Sequence, residues 1–248
     1  MEPLSIVQLV FSAAVVTAAF AVRGGTGFGA STVAIPLLAF SMPLAIAVPV
    51  VSILIVGNSV ALVARDWRHI AWRAVLSTVP FTLVGVLLGL FLLTRIEEHH
   101  LLRTLGVVVA AYGLYGLLGA DRSPAPPARW RPVLAATTGV AGGSLGALFG
   151  AGVGPIYAMY LSMLKIDTTA FRVSVTSVIF FQLIIRVSGY AGLGYYRGTV
   201  LIMLLGAVPF MLIGTWLGDS VVRRLNPRRF GYIVSAVLLV SGAALIAR

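Results

Sequence analysis

Two glycine-rich stretches contain the residues with the clearest chemical potential in this chain. The first spans residues 23–36 and the second spans residues 146–155. Each interrupts an apolar run with several glycines, which loosen a helix and leave backbone N–H and C=O groups without partners. In hydrocarbon such groups persist only where protein covers them or where they line a wet cavity. A matched pair of interruptions therefore indicates a binding site of the kind found in membrane transporters.

Small polar side chains near these interruptions favour an anionic ligand. A short helix that begins beside unwound chain presents free N–H groups and the positive end of its dipole. Ser31 and Thr32 can cap the first short helix or donate hydrogen bonds to a ligand. No predicted membrane span has Asp or Glu near its middle, which argues against a cation path or a carboxylate proton relay. The expected substrate-binding residues are Gly27, Gly29, Ser31, Thr32, Gly150, Gly152, Gly154, Thr176, Ser177, Gln182 and Arg186.

Each candidate also has a purely structural interpretation. Glycines recur at every fourth position from Gly142 to Gly154, as they do in a helix-packing ridge. Ser and Thr in membrane helices commonly bond the preceding turn of their own helix. Arg186 is able to attract an anion, but its head group could instead extend to the interface near Leu193, about 9 Å away along the helix. Arg23, at the edge of the first interruption, is interpreted as a topology charge.

Composition identifies a membrane protein. Of the 248 residues, 59% are hydrophobic and 10% are charged, and the mean hydropathy is +1.03, which is more apolar than a soluble domain. The net charge of +11 comes from basic residues in short loops, which indicates membrane topology and not a nucleic-acid partner. We expect a small anion and membrane lipid as partners, with no cofactor and no metal. Homo-oligomer formation is left open.

Hydrophobic runs predict an all-α polytopic fold with eight long helices and two short ones. The long runs cover residues 4–22, 44–64, 74–94, 101–119, 132–149, 169–193, 199–217 and 230–247. The short runs cover residues 29–40 and 153–164. At about 18 Å each, they fall short of a hydrocarbon core of about 30 Å.

An internal duplication organises these segments. Residues 80–89 and 209–218 share Pro, Phe, Leu and two Gly at corresponding positions. The sequence therefore predicts one membrane domain over residues 1–248, with repeat 1 at about 4–119, a polar connector at 120–131 and repeat 2 at about 132–247. The G-x-x-x-G spacing in both copies allows close helix contact, so we expect these glycines to pack helices.

The basic residues favour an inverted arrangement of the two repeats. If all ten segments cross the membrane, most of the 18 Lys and Arg residues fall on one side. If the short segments are re-entrant, that bias disappears. Because cytoplasmic loops carry the excess of basic residues, we predict five plus five segments with both termini outside.

The interruptions carry a family resemblance. Residues 27–31, followed by Pro36, resemble the G-x-G-G-G-x-x-x-x-P signature of the sulfite exporter TauE/SafE family, with Ala30 and Ser31 in place of two glycines. Residues 150–155 are similar to the second-repeat version, and Thr176-Ser177 resembles the Thr-Ser pair of that repeat. The resemblance implies a bacterial inner-membrane permease for sulfite, sulfonates or related organosulfur anions. A carboxylate carrier is the alternative within transport.

Two enzyme-like motifs lack the context that catalysis needs. Residues 142–146 fit G-x-S-x-G, and residues 25–30 fit a dinucleotide fingerprint that ends in alanine. The first motif requires a strand-to-helix elbow with a histidine and an acid, and the second requires a preceding strand. An intramembrane hydrolase is therefore a disfavoured alternative, and we expect no catalytic residues.

Overall fold

The fold, seen in a computed structural model that describes residues 6–118, 127–150, 153–164, 166–196, 198–220 and 227–247, is all-helical over those ranges, as predicted. The α-helices in these ranges are α1 (Ile6–Thr26), α2 (Ala30–Leu38), α3 (Leu44–Asp66), α4 (Trp72–Leu93), α5 (Glu98–Leu117), α6 (Arg131–Phe149), α7 (Val153–Ser162), α8 (Thr168–Gly192), α9 (Gly198–Ser220) and α10 (Pro227–Ile246). Short 3-10 turns at Trp67–His69 and Ala128–Trp130 precede α4 and α6.

Within the described ranges, seven helices are long and apolar enough to cross a membrane, namely α1, α3, α4, α5, α6, α8 and α9. Within those ranges α10 contributes a shorter apolar helical segment, Val234–Ile246. The helices α2 and α7 have 9 and 10 residues, which makes each about 15 Å long. The chain is therefore a multi-pass helical membrane protein.

The first interruption is shorter than the sequence predicts. Helix α1 continues to Thr26 instead of ending near Val22, since Gly24 packs against α9, where a Cβ on Gly24 would lie 3.0 Å from the Gly218 Cα atom. The helix is broken only at residues 27–29, where Gly27 and Gly29 have φ angles of 87° and 91°. Residues with a Cβ atom rarely adopt positive φ angles, so glycine is required at both positions.

The closest helix pairs are α4 with α6, α1 with α9, and α5 with α10. If the two halves are exchanged, α1 takes the place of α6 and α4 takes the place of α9. Under this exchange the α4–α6 pair corresponds to the α1–α9 pair, and the α5–α10 pair corresponds to itself. This equivalence supports the proposal of two related halves, while their inversion across the membrane stays a prediction.

The G-x-x-x-G glycines lie in the first two of these seams. A Cβ on Gly85 of α4 would lie 3.0 Å from the Gly143 Cα atom of α6. A Cβ on Gly218 of α9 would lie 2.8 Å from the Gly24 Cα atom of α1. The expectation that these glycines pack helices is confirmed.

The helix ends are sorted between two faces of the bundle. At one face, the start of α1, the turn between α2 and α3, the start of α5 and the end of α10 surround a cavity of about 530 Å³. At the other face, the start of α8 meets the end of α9 through an Arg172–Asp219 ion pair of 3.4 Å. Helix α2 therefore runs back towards the face at which α1 begins.

Candidate functional site

The two interruptions meet inside the bundle. A Cβ on Gly154, in the first turn of α7, would lie 2.8 Å from the ring of Phe28 and 3.4 Å from the Gly29 backbone nitrogen. Phe28 also makes an edge contact with Phe171 of α8, with 6.5 Å between ring centroids. The amino-terminal ends of the two short helices therefore converge, with Phe28 packed between them.

The start of α2 has free hydrogen-bonding capacity. Its N-cap residue is Gly29, and no side chain caps the helix, so neither Ser31 nor Thr32 does so. The Thr32 hydroxyl is buried and has no hydrogen-bond partner within the described part of the protein. Because buried polar groups are nearly always paired, this donor and the uncapped N–H groups are available to a ligand.

One face of α8 connects the two interruptions. The Thr176 hydroxyl donates a 2.9 Å hydrogen bond to the carbonyl oxygen of Gly27 in the first interruption. The Gln182 amide donates a 3.0 Å hydrogen bond to the carbonyl oxygen of Gly142. Arg186 donates to the carbonyl oxygen of Gly146, one turn before the second interruption. Helix α8 thus positions Thr176 against the first break, and Gln182 and Arg186 against the part of α6 that precedes the second break.

Arg186 is the central charge of this arrangement. Only 2% of its surface is exposed, and besides Gly146 it donates a 2.8 Å hydrogen bond to the Ser52 hydroxyl of α3. Its Nε atom is buried without a partner, and no described carboxylate lies within salt-bridge distance of its guanidinium. Extension of the side chain to the interface is therefore ruled out, and the charge is directed into the protein.

The second interruption places Thr32 and Arg186 at a similar depth. Gly150 ends α6 with a φ angle of 66°, and a Cβ at this position would lie 2.7 Å from both Ile35 of α2 and Val48 of α3. A short turn joins α2 and α3, so these helices run antiparallel. Thr32 precedes Ile35 by one helical turn and Ser52 follows Val48 by one turn, and both steps lead in the same direction. The unpaired hydroxyl and the Ser52–Arg186 contact therefore share one level.

Two tyrosines influence the surroundings of the guanidinium. The Tyr190 ring lies 6.0 Å from the Arg186 Cζ atom, and the Tyr190 hydroxyl donates a 2.5 Å hydrogen bond to the Ala147 carbonyl oxygen. Tyr196, after the end of α8, has a buried hydroxyl without a described partner. Burial raises the pKa of Tyr196 to about 12, against the opposing effect of the Arg186 charge. This hydroxyl is therefore neutral at physiological pH and leaves the arginine charge uncompensated.

The structure does not bring every expected residue to this site. Ser177 donates a 2.8 Å hydrogen bond to the Val173 carbonyl oxygen of its own helix, which matches the structural interpretation. Ser31 lies in the first turn of α2 without capping it. Gly152 lies outside the described residues, so its predicted contact with substrate stays a prediction. Gln182 bonds regular α6 before the second break, and the other candidates line the two breaks or contact residues within one helical turn of them.

Sequence reasoning also missed a buried arginine. A topology charge was one interpretation of Arg23 at the edge of the first interruption, but only 2% of its surface is exposed, so the side chain is not a solvated loop charge. Its partners are Asn58 and Ser59 on α3. A signal was present, because Ser52 and Ser59 stand seven residues apart in an apolar run and therefore share one helix face.

Interrupted helices that meet beside a buried cation in a multi-pass helical bundle define a membrane transporter built on discontinuous helices. The chain belongs to the sulfite exporter TauE/SafE family, whose sequence profile matches residues 11–245. It is also similar to the "probable inner membrane transporter protein TsaS" of Comamonas testosteroni, with 24% identity over 183 residues that cover 73% of this chain and 74% of the relative. No solved structure matches the chain significantly.

Proposed function

We propose that the protein is a bacterial inner-membrane permease that moves a small sulfur-containing anion such as sulfite, thiosulfate or a sulfonate. The anion binds beside Arg186, where the starts of α2 and α7 converge. Membership of the family supports the substrate class, and the name of the relative supports the inner membrane.

The observation that carries this proposal is the unpaired Nε atom of buried Arg186. An arginine at the centre of a membrane helix costs about 2.5–3.5 kcal/mol, so such residues usually pair with a carboxylate or have a functional role. Here the described hydrogen-bond partners are a serine hydroxyl and a backbone carbonyl. A bound anion supplies the missing negative charge, and the converging helix starts add their dipoles.

The conformation in the structure is closed around this position. Phe28 occupies the space between the two helix starts and contacts Phe171. Entry of an anion therefore requires displacement of Phe28, which stands between Gly27 and Gly29. Because glycine backbone rotates through regions that other residues rarely adopt, this segment is suited to such a movement.

The membrane potential is sufficient to drive efflux without a proton relay. A charge that crosses a membrane gains about 2.3 kcal/mol per 100 mV, so a dianion that leaves an inside-negative cell gains about 4.6 kcal/mol. No carboxylate that could act as a proton carrier was expected within the spans, and the site contacts described above involve none.

The test is anion flux in proteoliposomes under an imposed potential, with sulfite, thiosulfate, sulfoacetate and acetate supplied separately. We expect wild-type protein to move one or more of the sulfur anions, and Arg186→Gln to lower that flux about 10- to 100-fold, the usual worth of a charged hydrogen bond. Arg186→Lys retains the charge and should keep part of the flux. Flux of acetate alone would favour the carboxylate carrier, and absence of flux for all four anions would contradict anion transport.

The hydrolase alternative makes a different prediction about Ser144. Its hydroxyl donates a 3.1 Å hydrogen bond to the Gly85 carbonyl oxygen, across the seam between α6 and α4. This contact is a helix-packing interaction, so Ser144→Ala should leave anion flux unchanged within about twofold. Loss of an esterase or peptidase activity in this variant, with flux unaffected, would support the enzyme class instead.

A further inference from the structure

Arg23 forms a second buried cationic centre, separate from Arg186. Its Nε atom donates a 2.9 Å hydrogen bond to the Asn58 side-chain oxygen. Its Nη2 atom donates a 2.6 Å hydrogen bond to the Ser59 hydroxyl. The Asn58 amide in turn donates a 3.0 Å hydrogen bond to Thr215 of α9. The described partners of this guanidinium are thus uncharged and both lie on α3, and Asn58 links them to α9.

The two buried arginines occupy equivalent places in the two halves. The Gly27 N–H donates to the Arg23 carbonyl oxygen over 2.6 Å, and the Gly150 N–H donates to the Gly146 carbonyl oxygen over 2.9 Å. Arg23 and Gly146 therefore hold the same position, four residues before a positive-φ glycine. In the first half the guanidinium extends from this position to α3, and in the second half Arg186 extends to it from α8. Each half therefore has a buried guanidinium between two corresponding helices. In the first half it extends from α1 to α3, and in the second half it extends from α8 to α6.

Within the described ranges, neither of these arginines forms an ion pair with an acid, in contrast to arginines nearer the surface. Arg172 lies 3.4 Å from Asp219, and Arg65 lies 3.3 Å from Asp66. Among the residues that the structure describes, no carboxylate is within 4.0 Å of the Arg23 guanidinium. An arginine that only joined two helices would be better satisfied by a carboxylate, because an isolated buried charge is costly. The neutral partners leave the Arg23 charge available to an anion.

The spacing along α3 separates the two centres by more than the size of a small anion. Ser52 binds Arg186 and Ser59 binds Arg23. These serines stand seven residues apart on one face of α3, about 10 Å along the axis. The start of the same helix, at Leu44, lines the cavity at the bundle face. One small oxyanion cannot contact both guanidinium groups at once.

We propose that Arg23, with Asn58 and Ser59, is a second anion-binding station, which the transported oxyanion occupies before or after the Arg186 station. This inference rests on the proposed function, because it assigns a further position on the path of the same anion. A small anion bound at one station leaves the other free, so two anions can bind per protein.

The decisive variant is Asn58→Asp, which places a carboxylate beside the Arg23 guanidinium with almost no change in shape. If Arg23 only joins α1 to α3, the new ion pair strengthens that contact and flux stays at the wild-type level. If Arg23 receives the anion, the fixed carboxylate competes with it, and flux at subsaturating sulfite should fall about tenfold or more. Sulfite titration of the detergent-purified protein should lose one of two binding steps.

Thr215→Val is the matched control, since Asn58→Asp also removes the hydrogen-bond donor to Thr215. This control should keep flux within about twofold of wild type. A second pair, Arg23→Lys and Arg23→Met, guards against a folding failure of Asn58→Asp. Lysine keeps the charge but lacks the planar fork through which two arginine nitrogens reach Asn58 and Ser59. A station therefore predicts flux for Lys and loss for Met, whereas a structural bridge that needs the fork predicts equal loss for both.

The outcomes distinguish this inference from the proposed function. Wild-type flux with undiminished flux in Asn58→Asp overturns the second station and leaves the Arg186 site standing. Absence of wild-type flux for every sulfur anion overturns the proposed function itself. A single binding step in wild type, unaltered by Asn58→Asp, also overturns the second station.

Discussion

The glycines of the two interruptions and the glycines of the α1–α9 and α4–α6 seams show two different uses of the same residue. At Gly29 a Cβ would meet only ordinary contact, 3.4 Å from Val22, but the φ angle of 91° excludes most side chains. At Gly214 the helix is regular, but a Cβ would lie 3.0 Å from the Phe20 Cβ atom and closer still to the Thr17 backbone. Gly29 is required because its φ angle is positive, and Gly214 is required because the backbone of α1 leaves no space for a side chain.

We expect the seam glycines to contribute mainly to stability and the interruption glycines mainly to transport. The seams need small residues because helices in lipid associate through close packing and not through a hydrophobic driving force. The interruptions need glycine because the chain changes direction there with positive φ angles at Gly27, Gly29 and Gly150. Changes in the seams should therefore affect the folded state first, and changes in the interruptions should affect transport first.

The largest effect is expected in a seam. Gly214→Leu forces a large side chain against Thr17 and Phe20, which should destabilise the protein by about 3 kcal/mol or more and abolish a monodisperse peak in size-exclusion chromatography. Gly206 lies on the same helix α9, and a Cβ there has no atom within 4 Å. Gly206→Leu is the matched control and should elute like wild type. The same elution profile for both variants would contradict the claim that Gly214 is required for close packing of α9 against α1.

A smaller effect is expected in the first interruption. Gly29→Ala should lower sulfite flux about fivefold or more, because alanine in the left-handed region costs about 1–2 kcal/mol. Because the same strain lowers the free energy of unfolding, its thermal unfolding temperature in detergent should fall only by about 2–8 °C, and the protein should stay folded during the assay. Gly57→Ala, on α3 where a Cβ meets nothing within 4 Å, should leave flux unchanged. A Gly29→Ala protein that unfolds early but transports normally would reverse our interpretation.

The smallest effect is expected where α8 holds the first interruption. Thr176→Val removes the hydrogen bond to the Gly27 carbonyl oxygen, which is worth about 0.5–1.5 kcal/mol, so flux should fall about two- to tenfold. The adjacent Ser177 bonds only its own helix among the described contacts, and Ser177→Ala should keep flux within about twofold. A larger loss in Ser177→Ala than in Thr176→Val would contradict the proposed role of Thr176.

Much of the architecture was predictable from local pattern. Apolar runs of membrane length predicted the long helices, because a chain in hydrocarbon must satisfy its own backbone hydrogen bonds. The two glycine clusters predicted the positions of the interruptions, and the G-x-x-x-G spacing predicted the seams. The end of α1 was misplaced by four residues, since the packing of Gly24 against α9 is a tertiary contact that the local pattern does not reveal.

The amino-acid sequence by itself determined that this is a membrane protein, where its helical segments lie and where glycines interrupt them. These features depend on residues within one or two helical turns of each other. The tertiary structure alone decided which charges are buried. Arg23 donates a hydrogen bond to Asn58, which is separated from it by 35 positions in the sequence. Arg186 donates to Ser52, at a separation of 134 positions. An arginine near the end of an apolar run is able to reach water or turn inwards with equal local propensity. The tertiary position of α3, which packs against α8 and supplies Asn58 and Ser59 to Arg23, selects the inward direction.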